Sequence, residues 1–279
     1  MRVIRANAHK YAINKMCKIL NISRSTYYSY KEKTATEDEV AEKVVKIFNE
    51  NQYVYGTRKI KVELSKIGYI VSRRRISRIM QEKGLVSAYT VRKYRPNKDK
   101  TNNAKEANIV NREFNNSLKN EIIVSDLTYV SVGNSWNYIC ILLDLYNREI
   151  VGYSCGKHKD AKLVYRAFSK IKGNLNDFDI FHTDSGSEFN NYFISDLLKE
   201  FNIKRSLSGK GCPYDNAVAE ATFKIIKTEF VYRRRFENLE HLDTALKSYV
   251  YWFNNKRIHS SLGYLSPVDF KNSLLHKFV

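Results

Sequence analysis

The sequence predicts an α/β domain built on a mixed five-stranded sheet with helices, preceded by all-α helix-turn-helix segments. Three observations point there. From residue 120 onward the hydrophobic pattern reads strand, strand, strand, helix, strand, helix, strand, helix. Before residue 90 two stretches each read as a pair of short helices around a tight turn. The charge is also uneven: residues 1–110 carry a net +15 of the chain's +19, and the remainder +4. A basic first part and a nearly balanced second part suggest a binding half followed by a working half.

The first helical pair runs from Tyr11 to Lys31. Ile13, Met16, Cys17 and Leu20 fall at helical spacing, Asn21 breaks the run, and Ser23 is a helix N-cap ahead of RSTYYSYK. Arg24, Ser25 and Tyr28 are expected on the exposed face. In the second pair, Ile60, Leu64 and Ile67 mark one helix, ended by Gly68. Ser72 caps the next, RRRISRIMQEK, which turns Ile76, Ile79 and Met80 inward and stops at Gly84. Arg73, Arg74, Arg75 and Arg78 crowd its first turn and a half. Cations there oppose the helix dipole, and an external anion offsets that cost. In a helix-turn-helix this segment faces DNA bases and phosphates, so these four arginines are the candidate DNA contacts.

The stretch after Leu85 is polar, basic and without apolar period, and reads as a linker lying along DNA. The expected organisation is a helix-turn-helix-like segment over 1–35, a basic helix-turn-helix domain over 36–95, a linker over 96–116 and a catalytic core with a helical extension over 117–279.

In the core, NEIIVSDLTYVSV alternates, with Ile122, Val124, Asp126, Thr128 and Val130 on one strand face. Asp126 is then a carboxylate in an apolar row and needs a cation or a metal. WNYICILLDLYNREIVGYS reads as two strands joined by a turn at Leu145 to Arg148, with Trp136 in the core. Asp160 to Lys172 is a helix, and FDIFHTD is a strand delivering Asp184 at its C-terminal end. Asn190 to Phe201 is a helix, IKRSL a short strand, SGKGCPYDN a loop made mobile by Gly209 and Gly211, and Ala217 to Phe230 a helix. On that last helix Glu220, Lys224 and Lys227 share a face, and Val218, Ala221 and Ile225 are expected to face the core. Three antiparallel strands leading into parallel units fit the ribonuclease H-like arrangement.

Asp126, Asp184 and Glu220 stand with 57 and 35 residues between them, and the resemblance set out below implies that they are the catalytic and metal-binding carboxylates. Asp144 is the rival third acid, but it precedes a turn with Arg148 and fits a structural Asp–Arg contact. His182 shares strand parity with Asp184 and is a candidate neighbour of the site. Asn216 contacts DNA or caps the last helix.

The segments SDLTYV, LLDLYNREIVG, HTDSGSEF, SLSGKGCPYDNAVAEATFKIIKTE and YWFNNKRIHSSLGYLSPVDF together resemble the integrase catalytic core of DDE transposases. Within the retroviral-integrase superfamily they are similar to the OrfB-type product of the IS-three family of bacterial insertion sequences. YGTRKI…GYIVSRRRISRIMQEKGL resembles the basic helix-turn-helix ahead of that core. Ser185 and Phe189 depart from the family's usual residues. The resemblance implies transposition: DNA strand cleavage and strand transfer by water and by a DNA 3′-hydroxyl. It implies that Lys224 and Lys227 hold the DNA end, and it covers His259 without giving it a mechanism. The implied partners are double-stranded DNA, as terminal inverted repeats and target, and further copies of the chain on that DNA. An upstream-frame protein or frameshift fusion is a further expected partner. A catalytically silent DNA-binding regulator is the alternative, and a plain nuclease a third reading.

Three carboxylates in one site repel, by roughly 4 kcal/mol per pair at ~4 Å and an effective dielectric of about 20. Two Mg²⁺ ions, with Mn²⁺ as substitute, would reverse that sign, Asp126 bridging both, Asp184 on one and Glu220 on the other.

Other classes are excluded. Hydrophobic residues at 43% rule out pervasive disorder. The longest apolar run, Ile139 to Leu143, is far short of the ~20 residues of a membrane helix, so no membrane partner is expected. Four scattered cysteines make a disulfide framework or zinc site a poor fit. The expected location is the bacterial cytoplasm, on the nucleoid.

Overall fold

The computed structural model describes residues 2–29, 39–90, 122–184, 186–208 and 217–275. The chain divides into two compact units, Met1–Lys43 and Val44–Val279. The linker read over 96–116, the loop glycines 209 and 211, Cys212, Asn216 and Ser185 lie outside the described residues.

The first unit contains α1 (Arg2–Asn7), α2 (Ile13–Ile19) and α3 (Arg24–Ser29). Asn21 takes φ 51°, the left-handed turn that ends α2, and Ser23 Oγ accepts the Thr26 N–H at 3.0 Å to start α3. Cys17 is buried, and Arg24, Ser25 and Tyr28 are exposed, as expected from the periodicity.

α4 (Glu39–Glu50) begins in the first unit and ends in the second, and α5 (Thr57–Lys66) and α6 (Arg73–Glu82) follow in the second. Ile60 and Leu64 of α5 and Ile76, Ile79 and Met80 of α6 are buried. Both helices end in the same way. Gly68 (φ 87°) follows α5, with the Tyr69 N–H on the Leu64 carbonyl at 2.9 Å, and Gly84 (φ 66°) follows α6, with the Leu85 N–H on the Met80 carbonyl at 2.7 Å. Each is a Schellman stop, and only glycine adopts that backbone at no cost. Ile67 corrects the reading of α5. It is the C-cap and half-exposed at 52%, because the helix has already ended where the apolar period would carry it inward.

The sheet has five strands in the order β3-β2-β1-β4-β5: β1 (Ile122–Val132), β2 (Ser135–Asp144), β3 (Ile150–Gly156), β4 (Ile180–Thr183) and β5 (Lys204–Leu207). The first three are antiparallel neighbours, and β4 and β5 add in parallel. α7 (Ala161–Phe168) and α8 (Tyr192–Glu200) enclose a core with Ile123, Leu142, Phe168, Phe181 and Phe189. α7 lies so close to β3 that a Cβ on Gly152 would sit 2.4 Å from the Ala167 carbonyl oxygen. α9 (Ala217–Glu229) packs on β1, and α10 (Leu239–Asn255) packs on β3 and on α11 (Pro267–Leu275). The Asn254 side chain bonds both the N–H and the carbonyl of Ile150 at 2.9 Å.

Two further expectations are corrected here. Trp136 is exposed (62%) at the start of β2, edge-on to Tyr129 of β1 near the end of the β1–β2 hairpin, where β1 alternates between buried and exposed residues. On α9 the buried residues are Thr222, Phe223, Ile226 and Phe230 beyond its end, while Ala221 is exposed and Val218 and Ile225 are half-buried. Two phenylalanines bury more apolar area than a valine and an alanine, so they decide the inward face. At 100° per residue that face still points away from Glu220, but it lies on the other side of the helix axis from Ala221 and Ile225.

Residues 52–89 dock on the far end of α9. Tyr55 Oη accepts the Ile258 N–H at 2.8 Å and donates to the Lys256 carbonyl at 3.3 Å. Tyr89 Oη donates to Glu229 Oε1 at 2.5 Å, and Arg234 reaches Gln52 Oε1 at 2.9 Å. Among the described residues no helix is long and apolar enough to cross a membrane.

Candidate active site

Asp126 sits mid-strand on β1, opposite Ile141 of β2. Its Oδ1 accepts the N–H of Leu127 at 2.7 Å. Burial pushes its carboxyl up to about 6, against the Leu127 bond; the Asp184 and Glu220 charges push it further up, and Lys227 pulls it down. The charges of the three predicted acids and of Lys227 therefore meet at Asp126. Asp184 follows β4, is exposed, and accepts the Gly186 N–H on Oδ1 at 3.1 Å. Glu220 is exposed in the first turn of α9, Lys224 is exposed one turn on, and Lys227 is half-buried.

Among the described residues no three His, Cys, Asp or Glu side chains gather closely enough to hold a metal ion. As a donor set, Asp126, Asp184 and Glu220 fit a hard divalent cation, being all carboxylate oxygens on a cleft edge with a lysine close by.

The other predicted residues fall as follows. His182 is fully buried on β4, beside Val124 in register and so on the Asp126 face, with Nδ1 2.9 Å from Ser206 Oγ of β5. Asp144 pairs in register with Ile123, so strand alternation puts it on the opposite face from Asp126. Its expected contact with Arg148 is made by backbone: the Arg148 N–H bonds the Asp144 carbonyl at 3.0 Å, and Oδ1 accepts the Tyr146 N–H at 2.8 Å. Arg148 adopts φ 64° in closing that turn. Arg73, Arg74, Arg75 and Arg78 are all exposed on α6.

Several residues near the site or behind it carry no period or motif. Glu188 is buried and ion-paired to Lys159 at 2.8 Å, and Lys159 also feels the charges of Asp184 and Asp126. The only sequence signals were an acid inside HTDSGSEF and a basic GKHKD run after a strand. Behind α9, Glu229 takes Arg257 on both oxygens, with Nε at 2.8 and 3.1 Å and Nη2 at 2.7 Å, plus Tyr249 Oη at 3.2 Å. Arg257 Nη1 lies 3.1 Å from the His259 ring nitrogens. Burial, Arg257, Lys59 and Arg148 push His259 down to about 2, so its imidazole is neutral and accepts that bond. His259 is thus part of a buried structural cluster.

Comparisons with known proteins agree with this architecture. Residues 116–213 and 220–275 each match a family model described as an integrase core domain, and residues 35–94 match an HTH-like domain. That combination defines a class, the polynucleotidyl transferases with an integrase core behind a helix-turn-helix. The transposase for insertion sequence IS904 of Lactococcus lactis is 30% identical over 235 residues, 83% of this chain and 93% of that protein. The 31 kDa protein of insertion element IS600 of Shigella sonnei is 30% identical over 265 residues, 92% of this chain and 97% of that one. Among solved structures, the HTLV-2 integrase catalytic core domain in complex with magnesium matches 55% of this chain and 97% of its own, at 18% identity and a TM-score of 0.45. The chain belongs to the transposases of bacterial insertion sequences, in the IS-three family.

Proposed function

We propose that this transposase cuts and joins DNA strands through Asp126, Asp184 and Glu220. The observation that carries the reading is placement: Asp126 lies mid-strand on β1, Asp184 follows the neighbouring strand β4, and Glu220 is in the first turn of α9, which packs on β1. Together they would hold two Mg²⁺ ions, or Mn²⁺, whose positive charge would stabilise the attacking and leaving oxygens at phosphorus. The chain's own part is to orient. Asp126 is fixed by the Leu127 N–H and Asp184 by the Gly186 N–H, so each keeps one oxygen aimed by the backbone. Lys224 and Lys227 bind the DNA end beside Glu220, and Asn216 contacts DNA from the preceding loop. In cleavage, water forms the new P–O bond and the 3′-oxygen leaves. In joining, that 3′-hydroxyl oxygen forms a new P–O bond to a target-strand phosphorus, the bond from that phosphorus to the target's own 3′-oxygen breaks, and the leaving 3′-oxygen takes up a proton. Arg73, Arg74, Arg75 and Arg78 hold the element's end by its phosphates and base edges. Two ends must meet, so the working form holds at least two copies on nucleoid DNA, with or without an upstream-frame fusion.

The test is strand transfer of a labelled duplex carrying the element's end into plasmid DNA, with Mg²⁺ or Mn²⁺. Asp184→Asn and Glu220→Gln should each lose joined product by at least 100-fold, a transition-state loss of about 3 kcal/mol, while still binding the duplex. Product from Asp184→Asn would sink the assignment. Binding without product in the wild type, alone and fused, would make the chain a regulator.

A further inference from the structure

The cleft proposed above must accept a polyanion among four carboxylates: Asp126, Asp184, Glu220 and Glu188. Lys227 answers them from α9. The second cation is Lys159, on the connection between β3 and the N-cap of α7, which feels both Asp184 and Asp126.

The geometry of its partner is unequal. The Glu188 side chain is 3% exposed and that of Lys159 is 47% exposed, with 2.8 Å between Nζ and Oε1. Glu188 cannot swing out. Its carboxylate lies against the backbone of Gly186, where an added Cβ would sit 2.5–2.7 Å from the carboxylate atoms. The loop beneath it is closed by the Phe189 and Asn190 N–H groups on the Gly186 carbonyl, at 3.0 and 2.8 Å. Lys159 has the opposite character: a long, half-exposed stem ending in a compact charge with three donors. A fixed acid and a swinging base form a holder and an arm. Because the Lys159 side of the pair is half-exposed, a strand phosphate can reach the ammonium, and its three donors let it take up that phosphate as the contact with Glu188 loosens.

We propose that Lys159 is a DNA-positioning residue. Glu188 holds its ammonium, which passes to a phosphate oxygen of the strand lying at the proposed carboxylate site. The proposal rests on the catalytic reading only for where that strand lies. It goes beyond that reading in naming a phosphate-contacting residue on the β3–α7 connection.

The experiment is anisotropy titration of the full chain with a labelled duplex carrying the element's end, without divalent metal, between 50 and 200 mM salt. One lost phosphate contact lowers the log–log salt slope by about 0.9. Lys159→Ala should show that change, with roughly threefold to tenfold weaker binding at the middle of the range. Lys159→Arg should restore the wild-type slope. Glu188→Gln should bind more tightly than wild type, because the arm is released. An unchanged slope in Lys159→Ala, or weaker binding by a folded Glu188→Gln, overturns the proposal. Neither result depends on whether Asp184→Asn still cuts DNA, so failure of the catalytic reading would be seen separately.

Discussion

Asp144 and Asp126 are both pushed up to about 6, chiefly by burial, yet they differ in surroundings. Asp126 feels two acids, Asp184 and Glu220, and one lysine, Lys227, whereas Asp144 feels one acid, Glu149, and one lysine, Lys271. Asp144 is 1% exposed, and its Oδ2 has no hydrogen-bond partner. Its ionised form is therefore a cost that the fold carries at neutral pH. The carboxyl rises from 3.8 when unfolded to about 6 when folded, so its contribution to stability is complete below about pH 4. That contribution is lost as pH rises through about 6. Asp144→Asn keeps an oxygen for the Tyr146 N–H and removes the titration. The stability difference, variant minus wild type, should grow by about 2 kcal/mol between pH 4 and pH 7. Urea unfolding at those two pH values measures it, and a constant difference would show that Asp144 does not titrate in this way. Asp126 and Asp184 were legible in the sequence because one interrupts a strand's apolar alternation and the other ends a strand. Glu188 and Lys159 were not, because they lie on turns, and no periodicity says which turn folds back on which.

At the scale of the element, α9 carries the argument. Its first turn bears Glu220, and nine residues on, about 13 Å along the axis, it ends in Glu229. Glu229 is 1% exposed and Arg257 4%, and the pair is closed by Tyr89 and Tyr249. A carboxylate that deep holds the helix end because every lone pair is occupied. Glu229→Ala leaves the Arg257 guanidinium buried without its acid, and should cost about 3–5 kcal/mol in chemical unfolding. A loss below about 1 kcal/mol would mean that the packing of Phe230 and Phe253 alone fixes this end. The helix itself was readable from its period and length. Its inward face was not, because the choice between Val218 and Phe223 is made by the shape of the sheet it meets. Nor was the Glu229–Arg257 pair, which joins residues 28 positions apart. The strands and the two helix-turn-helix turns were readable for the opposite reason: caps and left-handed stops such as Ser72, Gly68 and Gly84 are local and act through neighbouring residues.

For the whole molecule, the question is how a +19 chain presents DNA to an acidic cleft without its charges working against each other. They are separated along the chain. The net +15 of residues 1–110 includes the four arginines of α6, while the proposed site gathers acids. Residues 52–89 are tied by Gln52, Tyr55 and Tyr89 to the end of the helix that bears Glu220. On the proposed reading, phosphate attraction and carboxylate chemistry would sit on one connected body and act on different parts of the DNA. Affinity should then follow the arginines and be insensitive to Asp126, Asp184 and Glu220. Replacing Arg73, Arg74, Arg75 and Arg78 together with Gln should flatten the log–log salt slope by about 3 to 4, if each side chain neutralises one phosphate. Asp184→Asn should leave that slope at the wild-type value. The measurement is the end-duplex titration from 50 to 200 mM salt, with circular dichroism to confirm that α6 survives. The variant keeps Ser72 as N-cap and Ile76, Ile79 and Met80 as its buried face, so folding and DNA affinity are separable here. A slope unchanged in the four-fold variant would move the DNA-binding surface off α6, and with it the division of labour between the two parts of the chain.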